Sequence, residues 1–193
     1  MDLDRQLFEA FVQSPNSAPT LRIYQVTGPA ITVGRSWRSS LRGNDVAVCI
    51  RPTGGGWVRH GNDFLYSVIA RRNSFSTFHR VRTSYLSFQE VVQEAFARFQ
   101  VKTSLVRCDD EGARKNVKRR TLEDCFKRPV PTDVSLGGQK IAGGAQWRRG
   151  EAFLHQGSVQ LVEGVSFENF KGAFLGAFER HFGAFWGKIV AVG

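Results

Sequence analysis

Apolar residues recur at helical spacing in three segments of this chain. The first, "DRQLFEAFVQ", places Leu7, Phe8 and Phe11 on one side and stops before Pro15, which predicts a short amphipathic helix. The second, "SFQEVVQEAFARFQ", has apolar side chains at i, i+3, i+4, i+7, i+8 and i+11. The third, "FENFKGAFLGAFERHF", repeats this spacing near the end of the chain. We therefore predict three helices.

Between these helices, short β-rich segments alternate with turn residues. "TLRIYQV" and "AITVGR" are separated by Gly28-Pro29, and "DVAVCI", "FLYSVIA", "TSLVRC", "TDVSL", "QKIAGGAQ" and "AFLHQGSVQLV" follow. Regular βαβ alternation is absent, so we predict an α+β fold with a mixed, mostly antiparallel sheet packed with helices. Since no repeat or linker divides it, we interpret residues 1–193 as a single domain.

The composition predicts an aromatic core and a cellular location for this protein. Hydrophobic residues make up 41% of the chain and include sixteen phenylalanines, which predicts a core of large rings. No segment approaches the roughly 20 apolar residues of a membrane span, and the first residues carry no apolar leader, so we expect a cytoplasmic protein without membrane contact. Three cysteines without CxxC spacing indicate neither a disulfide framework nor a metal site. Cys49 and Cys108, in apolar segments, are interpreted as small buried residues.

The net charge of +10 favours an anionic partner. Part of it lies in the basic run "ARKNVKRR" (residues 113–120), which we interpret as a solvated loop. An acidic protein or a nucleic acid would both fit the charge. Because no nucleic-acid-binding motif is present, nucleic acid is the less favoured partner.

A triple glycine lies in "RPTGGGWVRH", in a connection between two predicted strands. Glycines let backbone N–H groups approach a ligand closely, and such groups beside an arginine suit phosphate or carboxylate oxygens. The motif is neither a Walker loop nor a dinucleotide fingerprint. A strained loop without a ligand remains the alternative interpretation.

A second glycine-rich block, "LGGQKIAGGAQWRR", contains one lysine, Lys140. Strand alternation predicts that Lys140 and Ala142 point to one face while Ile141 and Gly143 point to the other. A solvent-facing lysine is the alternative to a lysine in a binding site. Cys125, in "LEDCFKRP", lies in a mixed-charge segment beside a proline, where neighbouring cations would lower the pKa of its thiol.

The two glycine-rich blocks, in this order, resemble the signatures of the lipoate-protein ligase A and lipoyl/octanoyl transferase family, which shares a catalytic domain with biotin-protein ligases. In that family the first block has an Arg, a Ser or Thr, three glycines and a nearby His. The second has a Gly, a Lys, an apolar residue, a Gly and an Ala, with a His-rich turn before "GS". The likeness spans roughly Leu21 to Leu161. It implies a biotin/lipoate protein ligase-like catalytic domain, here without the C-terminal accessory domain of the two-domain ligases.

The resemblance also implies roles for individual residues. Lys140 matches the family's essential lysine, whose ammonium contacts the reacting carbonyl. Gln156 departs from the family, which often has a histidine there. The matches expected to bind substrate are Arg51, Thr53, Gly54, Gly55, Gly56, His60, Asp63, Asp133, Gly143, Ala145 and His155.

Two chemistries occur in this family, and we favour the transferase. Cys125 lies fifteen residues before Lys140, in a stretch resembling the one where a transferase branch carries its nucleophile, and Thr132 stands where ligases usually have asparagine. The resemblance then implies octanoyl or lipoyl transfer through a Cys125 thioester, without a cofactor. The donor would be an acyl carrier protein, and the acceptor a lipoyl carrier domain of the glycine cleavage H protein or of a 2-oxoacid dehydrogenase E2 subunit.

Two alternatives stay open. An ATP-dependent lipoate-protein ligase would act through lipoyl-AMP and would need ATP and Mg²⁺. A non-catalytic acyl- or nucleic-acid-binding module would bind without transferring anything.

Overall fold

Two β-sheets and three helices make up the described part of the chain. The computed structural model describes residues 1–26, 28–37, 46–106, 126, 129–183 and 188–192. The helices are α1 (Asp2–Gln13), α2 (Val81–Ala97) and α3 (Phe167–Phe182), with a 3₁₀ turn at Ser76–Phe78. The strands are β1 (Thr20–Tyr24), β2 (Ala30–Val33), β3 (Ala47–Ile50), β4 (Trp57–His60), β5 (Asp63–Arg71), β6 (Ser104–Leu105), β7 (Val134–Leu136), β8 (Gln139–Arg149), β9 (Ala152–Gln160) and β10 (Lys188–Val192).

The larger sheet has seven strands in the order β10-β1-β5-β9-β8-β7-β6. Its strands pair antiparallel except for β1 with β10, which are parallel. The smaller sheet has the order β3-β2-β4, with β2 parallel to β3 and antiparallel to β4. The predicted α+β fold with a mixed, mostly antiparallel sheet is therefore confirmed.

One face of the larger sheet carries the main core, and we call it the core face. Alternate side chains of β5, Phe64, Tyr66 and Val68, point to this face and are buried beneath α2 and α3. The centroid of the Phe174 ring in α3 lies 5.0 Å from that of Phe64 and 4.8 Å from that of Tyr66. The aromatic core expected from the phenylalanine content is present.

The opposite face of the larger sheet is covered by α1, and we call it the α1 face. Phe8 and Phe11 of α1 pack on Ile69 and Leu154, which are the alternate residues of β5 and β9. The predicted amphipathic helix thus buries its apolar side here, and it leaves its polar side to solvent. By strand alternation, the candidate site residues Asp63, Gly143 and Ala145 lie on this α1 face.

The prediction of a buried Cys49 is wrong. Cys49 lies on β3, where all four side chains are exposed, including Val48 at 44% and Ile50 at 56%. The reason is that β3 pairs with β2 at the edge of a three-stranded sheet rather than entering either core. Cys108, Cys125 and the basic run at residues 113–120 lie outside the described residues.

None of the helices in the described ranges combines the length and the apolar content that crossing a bilayer requires.

Candidate functional site

Lys140 forms a buried ion pair with Asp133. The Lys140 ammonium on β8 lies 2.8 Å from Asp133 Oδ2, and both side chains are less than a tenth exposed. The backbone N–H of Val130 donates a 2.7 Å hydrogen bond to the same oxygen. Burial raises the pKa of Asp133, an effect that the Lys140 ammonium and the Val130 N–H oppose. The pair holds one ammonium in a fixed, largely water-free position.

A β-bulge beside Lys140 reverses the predicted alternation of side chains. Ser135 pairs with Lys140 but Val134 pairs with Ala142, so Ile141 is an extra residue on β8. Ile141 and Ala142 both enter the core, which leaves Lys140 and Gly143 on the same side of the strand. A Cβ atom on Gly143 would lie only 2.7 Å from the Lys140 ammonium nitrogen. The prediction that Lys140 and Gly143 point apart is wrong, and Gly143 leaves space for the ammonium.

The aromatic ring of Phe126 lies beside the same ammonium. The distance from Lys140 Nζ to the Phe126 ring centroid is 5.5 Å, within the range of a cation–π contact. Phe126 follows Cys125 directly in the sequence, and Cys125 itself lies outside the described residues. The contact therefore connects the segment of the predicted nucleophile to the predicted lysine.

The triple-glycine loop is held in shape by Arg51. Nη2 of Arg51 donates 3.0 Å hydrogen bonds to the carbonyl oxygens of Gly54 and Gly56. Gly55 has φ of +99°, a conformation that favours glycine. None of the backbone N–H groups of Gly54, Gly55 and Gly56 donates to another described residue. The loop thus turns the carbonyls of Gly54 and Gly56 to Arg51, and its own N–H groups have no acceptor among the described residues.

Residues that follow strand β2 bind this loop through backbone hydrogen bonds. The N–H of Gly34 donates to the Gly56 carbonyl and the N–H of Arg35 donates to the Thr53 carbonyl, each at 3.0 Å. A Cβ atom on Gly34 would overlap the carbonyl oxygen of Gly55. Close backbone approach is therefore the reason for a glycine at position 34.

His60 and Asp63 form a buried polar chain. His60 Nδ1 donates to Asp63 Oδ2 at 2.7 Å, and with that tautomer Nε2 accepts from the Thr32 hydroxyl at 2.8 Å. The Ser158 hydroxyl donates to the same Asp63 oxygen at 3.1 Å. His60 is only 3% exposed, so it stabilises the junction of β2, β4 and β5.

Gln156 connects the glycine loop to helix α1. The Thr53 hydroxyl donates to Gln156 Oε1 at 2.7 Å, and Gln156 Nε2 donates to Asp4 Oδ2 at 2.6 Å. All three side chains are buried. This connection was not predicted, because the three residues come from distant parts of the sequence.

His155 lies on the core face, away from the Lys140 side of the sheet. Its Nε2 is 3.3 Å from the Tyr66 hydroxyl, and its Nδ1 accepts from the Gln146 amide at 3.2 Å. The ring packs against Phe88 with a centroid separation of 4.4 Å. Burial, with a smaller effect from Arg148, lowers the pKa of His155 to about 3. His155 is therefore a neutral core histidine.

Tyr85 of α2 is a residue that the sequence analysis missed. Burial raises the pKa of its hydroxyl to about 12, an effect that the backbone N–H of Gln146 opposes. Smaller effects on this pKa come from the charges of Arg148, Asp133 and Arg51. Its position within an amphipathic helix gave no signal beyond that of a half-buried aromatic.

With this geometry in place, comparison with known proteins identifies the fold and the family. Residues 1–178 match the family described as the lipoyl protein ligase A/B catalytic domain. The chain belongs to this family. The resemblance inferred from the two glycine-rich blocks is confirmed.

Curated relatives of this family include octanoyltransferases. Octanoyltransferase LipM of an Exiguobacterium species is 31% identical over 150 residues, which cover 74% of this chain and 54% of that protein. Octanoyltransferase LipM of Moorella thermoacetica is 27% identical over 151 residues, which cover 75% of this chain and 54% of that protein. The chain thus spans about half the length of the curated relatives it matches.

Solved structures of lipoate-protein ligases share the fold. A lipoate-protein ligase A bound with ATP matches with a TM-score of 0.73 at 16% identity, covering 98% of this chain and 82% of that one. A bi-partite lipoate protein ligase of Thermoplasma acidophilum, reported with its E2 lipoyl domain, matches with a TM-score of 0.71 at 15% identity, covering 98% and 80%.

Within this lipoyl ligase fold, the described site residues form three neighbouring groups, while Ala145 lies opposite Gln156 and His155 lies apart. Gly143 pairs with Ser158, which donates to Asp63, and Ala145 pairs with Gln156, which accepts from Thr53. The α1 face of β8 and β9 therefore adjoins all three groups, and His155 is the outlier. The groups are Lys140, Asp133 and Gly143; Arg51, Thr53, Gly54, Gly55 and Gly56; and His60 with Asp63.

Proposed function

We propose that this chain is an acyltransferase of lipoate metabolism that moves an octanoyl or lipoyl group, through a thioester on Cys125, to a lysine of a lipoyl carrier domain. One observation carries the proposal: a buried Lys140 ammonium, oriented by Asp133, lies beside the ring of the residue that follows Cys125. Family membership and the octanoyltransferase relatives support it.

The proposed reaction has two balanced steps. The Cys125 thiolate attacks the thioester carbonyl of the donor, and the donor's sulfur leaves as a thiolate that takes up a proton. The neutral amine of the acceptor lysine then attacks the Cys125 thioester, forms an amide, loses a proton and regenerates the thiol. No nucleotide or metal ion enters this balance.

Lys140 supplies charge stabilisation in both steps. An ammonium beside a thiol lowers the pKa of the thiol and raises the thiolate fraction. The same ammonium stabilises the oxyanion that develops on the attacked carbonyl. Asp133 fixes the ammonium in position, and Gly143 leaves it the space to approach. In this proposal, the N–H groups of the glycine loop, which have no acceptor among the described residues, bind the carbonyl or carboxylate end of the acyl group.

We infer the partners from the net positive charge of the chain and from a protein that shares its fold. We place an acyl carrier protein as donor and a lipoyl domain, of the H protein or of a dehydrogenase E2 subunit, as acceptor. The Thermoplasma acidophilum ligase that shares this fold was reported with such a domain. A reducing compartment such as the cytoplasm suits a thiolate nucleophile.

An ATP-dependent ligase is the second candidate, and the glycine loop favours it. A row of backbone N–H groups also suits phosphate oxygens, and a ligase of this fold is known with bound ATP. In this candidate ATP and Mg²⁺ would activate the acyl group as lipoyl-AMP, and Cys125 would have no part. A non-catalytic acyl- or nucleic-acid-binding module is the third candidate.

Intact-mass measurement separates the three candidates. The protein is incubated with an octanoylated acyl carrier protein, and then with a lipoyl domain. The transferase predicts an octanoyl adduct on Cys125 that neutral hydroxylamine removes and that the lipoyl domain discharges. Product from free lipoate and ATP without an adduct would establish the ligase, and binding without product would establish the module.

Two variants test the assigned residues. Cys125→Ser should abolish the adduct while leaving the fold intact, and full transfer by this variant would exclude the thioester. Lys140→Met leaves Asp133 buried and unpaired, so the double variant Lys140→Met/Asp133→Asn is the matched test of the ammonium. We expect the double variant to fold and to lose on the order of 10²–10³ in rate of acylation.

A further inference from the structure

We propose that Gln156 is a positioning residue that fixes the glycine loop against β9, by carrying a hydrogen-bond connection from Asp4 on α1 to Thr53. The inference rests on the proposed function, because it assigns the glycine loop to the acyl substrate. Gln156 stands where the family pattern often has a histidine, so its role has to come from its own contacts.

The anchor of this connection is the Asp4 carboxylate, which is fully buried and fully satisfied. Its Oδ1 accepts from Arg22 at 2.8 Å and from the Ser67 hydroxyl at 2.9 Å. Its Oδ2 accepts from the Tyr24 hydroxyl at 3.1 Å and from Gln156 at 2.6 Å. Four donors occupy the carboxylate's lone pairs, so Asp4 is held rigidly by three strands of the larger sheet.

The contacts of Gln156 define the orientation of its amide. An ionised carboxylate only accepts, so the amide nitrogen must face Asp4, and the amide oxygen then accepts from Thr53. The amide nitrogen also lies 3.2 Å from the sulfur of Met1. Because the Gln156 amide is hydrogen-bonded to Asp4 and to Thr53, it fixes the distance between these two residues.

The connection ends at the part of the loop that binds substrate in our proposal. Thr53 directly precedes the three glycines, and its carbonyl is already bonded to the N–H of Arg35. Gln156 pairs with Ala145 on β8, close to the strand segment that holds Gly143. The Thr53–Gln156 bond thus sets the separation between the glycine N–H groups and the Lys140 side of the sheet.

The charged groups around Gln156 make a specific titration test possible. Asp4 faces it from α1, while Arg22 and Tyr24 face Asp4 from β1. Replacing Gln156 by glutamate places a second carboxyl within hydrogen-bond distance of Asp4. When protonated, that carboxyl copies the amide, since its O–H donates to Asp4 and its carbonyl accepts from Thr53. When ionised, it faces Asp4 as a like charge, and burial with this repulsion raises its pKa above the ordinary value of about 4.3.

The test is the pH profile of acyl transfer to Cys125 in Gln156→Glu compared with the natural protein. We expect the variant to approach natural kcat/KM at low pH and to lose about tenfold as the pH rises through the raised pKa, with the loss appearing mainly in KM for the octanoyl donor. Gln156→Leu should lose on the order of 10²-fold at every pH, because misplacement of the loop cannot be reversed by a proton.

Matched variants separate positioning from simple destabilisation. Thr53→Val has the same shape without a donor and should reproduce the loss seen in Gln156→Leu. Ser67→Ala removes another donor to Asp4 without touching the loop, so it should lower the melting temperature without changing KM.

The outcomes distinguish this inference from the proposed function. If the natural protein forms no octanoyl adduct, the proposed function fails. If it forms the adduct, but Gln156→Glu shows the pH profile of the natural protein and Gln156→Leu changes activity no more than Ser67→Ala does, the function stands and the positioning role is wrong.

Discussion

His155 is a titratable side chain that the fold keeps neutral. Its pKa is lowered from about 6.5 to about 3, because the buried imidazolium would lose its hydration among aromatic rings. Between these two values the unfolded chain binds the extra proton and the folded chain does not. Stability should therefore fall as the pH drops below about 6.5, by roughly 2 kcal/mol at pH 5 from this residue alone.

Thermal melts of the natural protein and His155→Gln at pH 7 and pH 5 check this expectation. Glutamine can still bond Tyr66 and Gln146 but does not titrate, so its melting temperature should fall less on acidification. The carboxylates titrate alike in both proteins, so their effect cancels in the difference between the two changes in melting temperature. Equal acid sensitivity of the two proteins would show that His155 is not kept neutral by the fold.

The sequence suggested individual residues for this candidate site, but it did not predict their partners. The glycine-rich surroundings of Lys140 pointed to a lysine in a site, and its matching family motif pointed to the same residue. The ion pair with Asp133 depends on a bulge at Ile141, which inverts the alternation that the sequence predicts. A ligand contact of Arg51 stays a prediction, and the hydrogen bonds from its Nη2 to the loop's own carbonyls were not predicted.

At the scale of elements, the sequence pattern predicted every described α-helix and every described strand except β4 and β10. The helices α1 and α3 follow the predicted segments because each buries one apolar side, and the strands β5, β8 and β9 follow theirs as well. α2 begins at Val81, six residues before the predicted segment, since its first turns carry a mixed pattern. Strand β4 has only four residues, two of them charged or titratable, and β10 was not predicted.

Glycines in these elements have opposite effects on stability, which gives a matched pair of variants. Gly157 on β9 lies under the Tyr66 ring, and a Cβ atom there would overlap that ring. Gly172 is exposed within α3, and a Cβ atom there would meet nothing within 4 Å. Gly157→Ala should destabilise by on the order of 1–3 kcal/mol, and Gly172→Ala should stabilise by about 1 kcal/mol.

Denaturant unfolding measures both free energies under one condition. The sign of the difference is the test, because both changes add the same methyl group. An unchanged stability in Gly157→Ala would mean that Tyr66 moves aside without cost, and the packing account of β9 would then be wrong.

At the scale of the whole molecule, the sheet separates two tasks between its faces. The core face carries the aromatic packing and the neutral His155, while the α1 face carries Lys140, the glycine loop and the Asp4 network. Thr53 and Gln156 are 103 residues apart in sequence, and their bond depends on how the smaller sheet meets the larger. Local periodicity does not encode contacts between residues so far apart in sequence. The fold class was therefore predictable, whereas the hydrogen bonds within the site were not.

The net charge of +10 belongs to the molecule rather than to any one residue, and it predicts a salt-dependent encounter with the acidic carrier domain that we propose as acceptor. Raising the ionic strength from about 0.01 M to about 0.1 M shortens the screening length from roughly 30 Å to roughly 10 Å. The KM for an acidic lipoyl domain should then rise on the order of tenfold, with kcat little changed, because screening weakens attraction before docking and leaves the buried Lys140 pair intact. A short neutral peptide carrying the acceptor lysine is the control, and its KM should not respond to salt. If the KM for the peptide and that for the domain respond equally, the positive charge has no part in recognising the carrier and the reason for it must be sought elsewhere.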